Sequence, residues 1–209
     1  MSTLNRHEQD TPDSRFAPHP HRQFWDTRYR DSFYPRWPSA LLERWLTRLT
    51  PGYALDVACG AGRHTLLLAQ YGWRALGVDI SPVALHLARA EARMRALTVD
   101  LLAANLEDYP LPPAHFDLVC VFRFLERALC PRLATSLKPG GVLIYETFTI
   151  EQRSYEGGPR TDDRLLQPGE LPRLFPALDV LEYREGVTEE DGRPRALAGL
   201  VARRPTDSL

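Results

Sequence analysis

The sequence predicts an α/β fold, a doubly wound and mostly parallel sheet that ends in a C-terminal antiparallel hairpin. Three features carry that expectation. Short apolar runs alternate with helical patterns of about 10–15 residues, as in strand–helix–strand units. One run, YALDVA, passes through Gly60 and Gly62 into a helical pattern, so a glycine turn joins strand to helix. The final stretch, DVLEYREGVTEEDGRPRALAGLVARR, reads as two strands divided by Asp191-Gly192, a hairpin signal.

Taken in order, residues 1–21 are polar, punctuated by prolines and poor in large apolar side chains, which predicts a flexible tail. His19 and His21 have no third ligand nearby in sequence, so no metal site is expected there. Residues 22–209 are expected to form one domain. Its first part is dense in aromatics and then places Leu41, Leu42, Trp45, Leu46 and Leu49 at helical spacing, predicting an N-terminal helical cap over 22–50. After Pro51-Gly52 comes the strand YALDVA, then a helix closed by Gly72, then the strand WRALGVD. Ser81-Pro82 supplies an N-cap and a first-turn proline for the helix VALHLARAEARMRA, which precedes a third strand near 97–103. FDLVCVF is a fourth strand, Leu125 to Leu137 a helix, and VLIYETF, after KPGG, a fifth strand. Residues 149–168 form a long polar connection and are a candidate lid loop over substrate.

Composition narrows the function. The chain has 209 residues, 44% hydrophobic and 25% charged, which excludes wholesale disorder and a disulfide scaffold. A net charge of −1 disfavours a dedicated nucleic-acid or anionic-membrane binder. Twenty-five of the 26 basic residues are arginine, with Lys138 the lone lysine, a skew that codon usage accounts for. Cys59, Cys120 and Cys130 form no CxxC pair, which argues for free thiols in a reducing compartment. The N-terminal stretch has no apolar core of the signal-peptide kind and no run approaches a membrane span, so a cytoplasmic protein is expected. A monomer or a homodimer is expected.

The densest chemistry lies in ALDVACGAGRHTLLLA. Gly60 and Gly62 permit close backbone approach of a ligand across the turn and the helix N-terminus. About 20 residues on, Asp79 ends the second strand, where a carboxylate can accept ribose hydroxyls. Together these point to an adenosine-containing cofactor. A dinucleotide fold wants GxGxxG, yet the third glycine position is Thr65, while Asp56 precedes the turn and gives D-x-A-x-G-x-G.

That motif resembles the cofactor turn of class I S-adenosylmethionine-dependent methyltransferases, a Rossmann-like fold, with Ala58 in place of the usual first glycine. LGVDIS, NLEDYPLP, FDLVCVF and LKPGGVLIYETF follow in the order of that family. The resemblance implies S-adenosyl-L-methionine as cofactor, S-adenosyl-L-homocysteine as product, and a binding set of Asp56, Ala58, Cys59, Gly60, Gly62, Asp79, Ile80 and Val121. It further implies that Asn105 and the backbone of Leu106 hold the adenine. From the aromatic cap, Arg28 or Tyr29 is expected to reach the methionine carboxylate, with Arg63 as another option. RFLERAL, YETF, GGPR and LLQPGEL resemble a tellurite-resistance-like subgroup, although Glu126 stands where that subgroup often has histidine.

Methyl transfer from a sulfonium asks the protein mainly to position reactants and exclude water, and soft anions attack without a base. Ligands of doubly wound sheets lie beyond the carboxyl ends of the strands. This selects Arg127 and Arg160 to orient an anionic acceptor, with Glu146 or Glu126 to position it or take a proton. Arg127 paired with a carboxylate to hold the helix is the alternative. The expected partner is a small molecule, a chalcogen oxyanion or thiol-like nucleophile. RNA or protein methylation, a non-catalytic cofactor binder and a dehydrogenase stand as the other readings.

Overall fold

A computed structural model describes residues 20–31, 37–190 and 192–206. Its strands are β1 (Tyr53–Val57), β2 (Arg74–Asp79), β3 (Asp100–Ala103), β4 (Phe116–Phe122), β5 (Leu137–Phe148), β6 (Asp179–Glu190) and β7 (Arg193–Arg203). They form one sheet in the order β3-β2-β1-β4-β5-β7-β6. β1 to β5 run parallel and β7 pairs antiparallel with both β5 and β6. The strand order reverses between β1 and β4, which opens a crevice at their carboxyl ends.

The helices are α1 (Pro20–Asp31), α2 (Ala40–Leu46), α3 (Arg63–Gln70), α4 (Pro82–Met94), α5 (Cys130–Ser136) and α6 (Glu170–Arg173). β4 is apolar on both faces because both faces are covered. Leu118, Cys120 and Phe122 pack with Leu41, Leu42 and Leu46 of α2 and with Leu67 and Leu68 of α3. Val119 and Val121 face the other way, into a cluster with Leu133 of α5, Leu171 of α6 and Phe175. Ser81 caps α4 by accepting the Ala84 N–H at 3.1 Å, with Pro82 in the first turn, and Gly72 leaves α3 at φ +81°.

Several boundaries differ from the sequence pattern. α1 begins at Pro20, so the last residues of the apparent tail already belong to a helix. His19 and Asp191 lie outside the described residues. The stretch from Leu125 is not one helix: Pro131 lacks an N–H and sets a helix start, so α5 begins at Cys130 behind a 3-10 turn at Arg127–Leu129. β3 starts only at Asp100, after Ala96 turns the chain at φ +53°.

The polar connection 149–168 holds two 3-10 turns, Ile150–Ser154 and Asp162–Arg164, and is tied down at both ends. Thr149 bridges Leu166, and Gln152 is fully buried. The Gln152 amide accepts from the Ala196 N–H at 2.8 Å and donates to the Gly157 carbonyl at 3.2 Å. Truncating it orphans a buried N–H and a carbonyl, which costs about 1–3 kcal/mol. Gln152→Ala is therefore expected to lower the thermal midpoint by several degrees, at about 2–4 °C per kcal/mol in a chain of this size, as read by circular dichroism.

Candidate functional site

The crevice is built from two strand ends that bend alike. Ala58, immediately after β1, sits at φ +52°, and Arg123, immediately after β4, at φ +59°. Left-handed backbone costs a residue with a Cβ of order 1–2 kcal/mol and clusters where sites are shaped. At position 58 the conformation explains why the motif favours glycine. From Ala58 the chain runs through Gly60 at φ +55° and Gly62 at φ +82° into α3.

The turn is closely packed. A Cβ on Gly60 would lie 2.1 Å from the Tyr29 hydroxyl, and one on Gly62 2.8 Å from the Ala88 Cβ. A Cβ on Gly77 would meet the Thr65 hydroxyl at 2.8 Å and the Cys59 sulfur at 2.9 Å. Thr65 thus has its space from Gly77, and its hydroxyl donates to Asp56 at 2.6 Å. A third motif glycine at position 65 would remove that donor.

Asp56 is wholly buried, and burial lifts its carboxyl pKa from 3.8 to about 7 against the lowering effect of the Thr65 hydrogen bonds. Asp79 is held in place rather than left free. Its two oxygens accept the Gly60 and Ser81 N–H groups, each at 2.8 Å, while burial raises its pKa. The carboxylate ends β2 at the crevice, the position from which an acid can accept a ribose hydroxyl. The Ser81 hydroxyl donates to Asp26 of α1 at 2.5 Å, which fastens α1 beside the turn. Cys59 is buried with its thiol pKa pushed well above 9, so it is no nucleophile.

Of the cationic options for a methionine carboxylate, Arg28 is exposed, its guanidinium 6.0 Å from the Trp25 ring. Arg63 opens α3 beside the glycine turn, donates to the Trp37 carbonyl at 3.1 Å, and has its pKa lowered by burial and by Arg123. Ile80 is half-buried between Asp79 and Ser81, and Val121 is fully buried in the core. Asn105 turns its side chain onto its own loop, donating to Asp108 at 2.9 Å and accepting from the Glu107 N–H. Leu106 is buried beside it, and its carbonyl accepts from Arg132.

The residues expected to orient the acceptor are distributed differently from the sequence reading. Arg127 pairs with Glu170 at 2.6 Å and donates to the carbonyls of Asp163 and Leu165, a clamp on the 149–168 connection. Arg160 is exposed and donates to the carbonyls of Arg153 and Tyr155 within the same connection. Glu126 caps the Arg127–Leu129 turn and lines a hollow of about 220 Å³ with Glu107, Ala128, Leu129 and Arg132.

Glu146, at the end of β5, is buried and accepts from three donors: Ser39 at 2.7 Å, Arg123 at 3.2 Å and Arg184 at 2.9 Å. Arg123 also pairs with Glu190 at 2.5 Å, and its guanidinium lies 5.2 Å from the Phe148 ring. Ser39, Arg184 and Glu190 carried no sequence signal. His64 is a packing residue: its ring lies 3.9 Å from that of Phe122, its Nε2 accepts the Ser39 N–H at 3.2 Å, and burial keeps it neutral with a pKa well below 6.5. No group of three metal-ligating side chains occurs among the described residues, nor any helix long and apolar enough to cross a membrane.

The comparisons agree with this geometry. Residues 54–141 match the family model described as a methyltransferase domain. A ubiquinone biosynthesis O-methyltransferase of Methylococcus capsulatus is 36% identical over 120 residues, 52% of this chain and 48% of that protein. The chain thus spans about half the length of the curated relatives it matches. TehB from Haemophilus influenzae superposes with a TM-score of 0.67 at 15% identity, over 88% of this chain and 66% of that one. An S-adenosylmethionine-dependent methyltransferase from Methanosarcina mazei gives 0.65 at 19% identity, over 82% and 100%. At such identities the likeness is one of fold.

A carboxyl whose pKa rises on folding keeps its proton in the folded chain while the unfolded chain releases it. The stability that the Asp56 proton confers is therefore full below about pH 4 and lost as pH climbs through about 7. Asp56→Asn keeps the shape without the titration. Urea unfolding from pH 4.5 to 8 is expected to show the parent losing on the order of a few kcal/mol relative to the variant. Equal slopes would place the Asp56 pKa near its ordinary value. The motif order and the paired strand ends agree with the match of residues 54–141 to the methyltransferase domain model.

Proposed function

We propose that this chain transfers a methyl group from S-adenosylmethionine to a small-molecule acceptor in the crevice between β1 and β4. The observation that carries the reading is the turn itself: Ala58, Gly60 and Gly62 at positive φ, fixed by the Asp79 carboxylate at the end of the next strand. The residues fit the cofactor. Asp79 would take the ribose hydroxyls, Arg63 the methionine carboxylate, and the Tyr29 hydroxyl would close the turn at Gly60. Leu106 and Asn105 would border the adenine. Bound S-adenosylmethionine supplies an electrophilic methyl on its sulfonium, so this chain's part is to orient, shield and balance charge.

The acceptor side supports a nucleophile that needs no base. Glu146 already accepts from Ser39, Arg123 and Arg184, which makes it a positioning residue for the two guanidiniums. His64 is neutral, with Nε2 occupied by the Ser39 N–H. A soft anion, thiol-like or a chalcogen oxyanion, attacks a sulfonium methyl unaided. A second reading, methylation of a hydroxyl oxygen, has support from the curated relatives named as O-methyltransferases. Glu126, partly exposed at the hollow beside the Glu107 loop, is then the carboxylate placed to take a proton.

Thermal unfolding with ligand tests the cofactor half. S-adenosylhomocysteine at 100 times its Kd adds about 2.7 kcal/mol, which is expected to raise the midpoint by roughly 5–10 °C. NAD is expected to leave it unchanged. Gly60→Ala, whose Cβ would lie 2.1 Å from the Tyr29 hydroxyl, is expected to abolish the S-adenosylhomocysteine shift. A shift with NAD alone would replace the methyltransferase reading by the dehydrogenase.

A further inference from the structure

Arg123 is unusual in three independent ways. Its backbone is left-handed at φ +59° in a residue that is not glycine, at the carboxyl end of a central strand. Its side chain lies between two carboxylates of opposite character: Glu146, 2% exposed, and Glu190, 35% exposed. The guanidinium plane is fixed near the Phe148 ring, whose centroid is 5.2 Å away, while the Arg123 side chain is itself only 17% exposed.

The two pairings differ in kind. Glu146, itself fixed by donors from Ser39 and Arg184, accepts from Arg123 Nη1 on the buried side, where solvent does not reach. Glu190 meets Arg123 from the surface end of the β6–β7 hairpin. Both of its oxygens crowd a single nitrogen, Nη2, at 2.5 and 2.6 Å. A carboxylate that meets a guanidinium side-on engages two nitrogens by parallel hydrogen bonds, the stronger and more directional geometry. Glu190 leaves that geometry unused. Glu190 is 35% exposed, so water on its open side can solvate it when a better-placed anion takes its position on Arg123.

We propose that Arg123 seats a planar carboxylate of the methyl acceptor, and that Glu190 is the resident anion the acceptor displaces. The inference rests on the methyltransferase reading and narrows it to anionic acceptors. It moves anion recognition from Arg127 and Arg160, whose donors hold the 149–168 connection, to the end of β4. Arg63, at the start of α3, remains with the cofactor. Glu190 gives selectivity in the same stroke: a neutral acceptor of equal shape cannot replace its charge on Arg123 and meets a closed site.

Calorimetric titration of the protein saturated with S-adenosylhomocysteine tests this, with benzoate and its neutral isostere benzamide as probes. Benzoate is expected to bind at least about 10-fold more tightly than benzamide. Glu190→Gln, which removes the competitor, should tighten benzoate by about 5–20-fold and leave benzamide unchanged. Arg123→Lys, which keeps the charge but loses the fork, should weaken benzoate by about 10-fold. Equal binding of the two probes, no benzoate binding to either parent or Glu190→Gln, or benzoate affinity indifferent to Glu190→Gln each overturns the proposal. S-adenosylhomocysteine binding is measured first in every variant. Its failure in the parent protein overturns the methyltransferase reading instead, and its retention in Arg123→Lys shows that the variant is folded.

Discussion

A carboxylate buried at the end of β5, Glu146, constrains one whole side of the crevice. Taking Glu146 out of water costs several kcal/mol unless its lone pairs are met, and leaving one donor out would be strongly destabilising. The three donors come from three separate places: the cap of α2, the residue after β4, and β6. Satisfying one buried charge therefore fixes the helical cap, the strand end and the hairpin relative to one another. Ser39 extends the constraint, since its hydroxyl also accepts the Leu41 N–H at the start of α2 and its own N–H meets His64 of α3. α3 begins at the cofactor turn. The two halves of the crevice are thus joined by a continuous buried polar network, and a change at Glu146 is felt at both.

The cofactor half was legible in the sequence because its logic is local. A strand, a turn needing positive φ and a helix occupy one short stretch, and the acid at the end of the next strand follows at fixed spacing. Even the departures are physically readable. Ala58 adopts the backbone of the glycine it replaces, and Thr65 supplies the hydroxyl that holds Asp56. The helical cap showed in its apolar spacing, and the hairpin in its turn residues.

The cluster around Glu146 was not legible, because its partners are far apart in the chain. Glu146 lies 107 residues from Ser39 and 38 from Arg184, and Arg123 lies 67 from Glu190, separations that no local pattern encodes. Sequence order placed Arg127 after β4 and hence near the strand ends. Pro131 shortened the following helix, and the 3-10 turn before it directs Arg127 to Glu170 instead. Arg160 and the connection around it looked unanchored because the tie that matters, Gln152 to the Ala196 N–H, spans 44 residues. Arginine-rich composition offered many guanidiniums, and packing separates those that brace loops from Arg123, held between two carboxylates.

The strain at the two strand ends distinguishes the halves further. β1 and β4 are adjacent and parallel, with Val57 opposite Val121, so Ala58 and Arg123 leave the sheet side by side. Turning both chains into left-handed backbone spreads their exits and opens the crevice at the point where strand order reverses. At position 58 the backbone alone does this work, and a glycine would serve with less strain. At position 123 glycine would relieve the strain equally, but it would remove the cation that links Glu146 within to Glu190 at the surface. A bulky residue kept in a conformation that costs of order 1–2 kcal/mol is held there by what its side chain does. The strain thus separates the two positions: relieving it at Arg123 would cost an interaction, and relieving it at Ala58 would cost nothing.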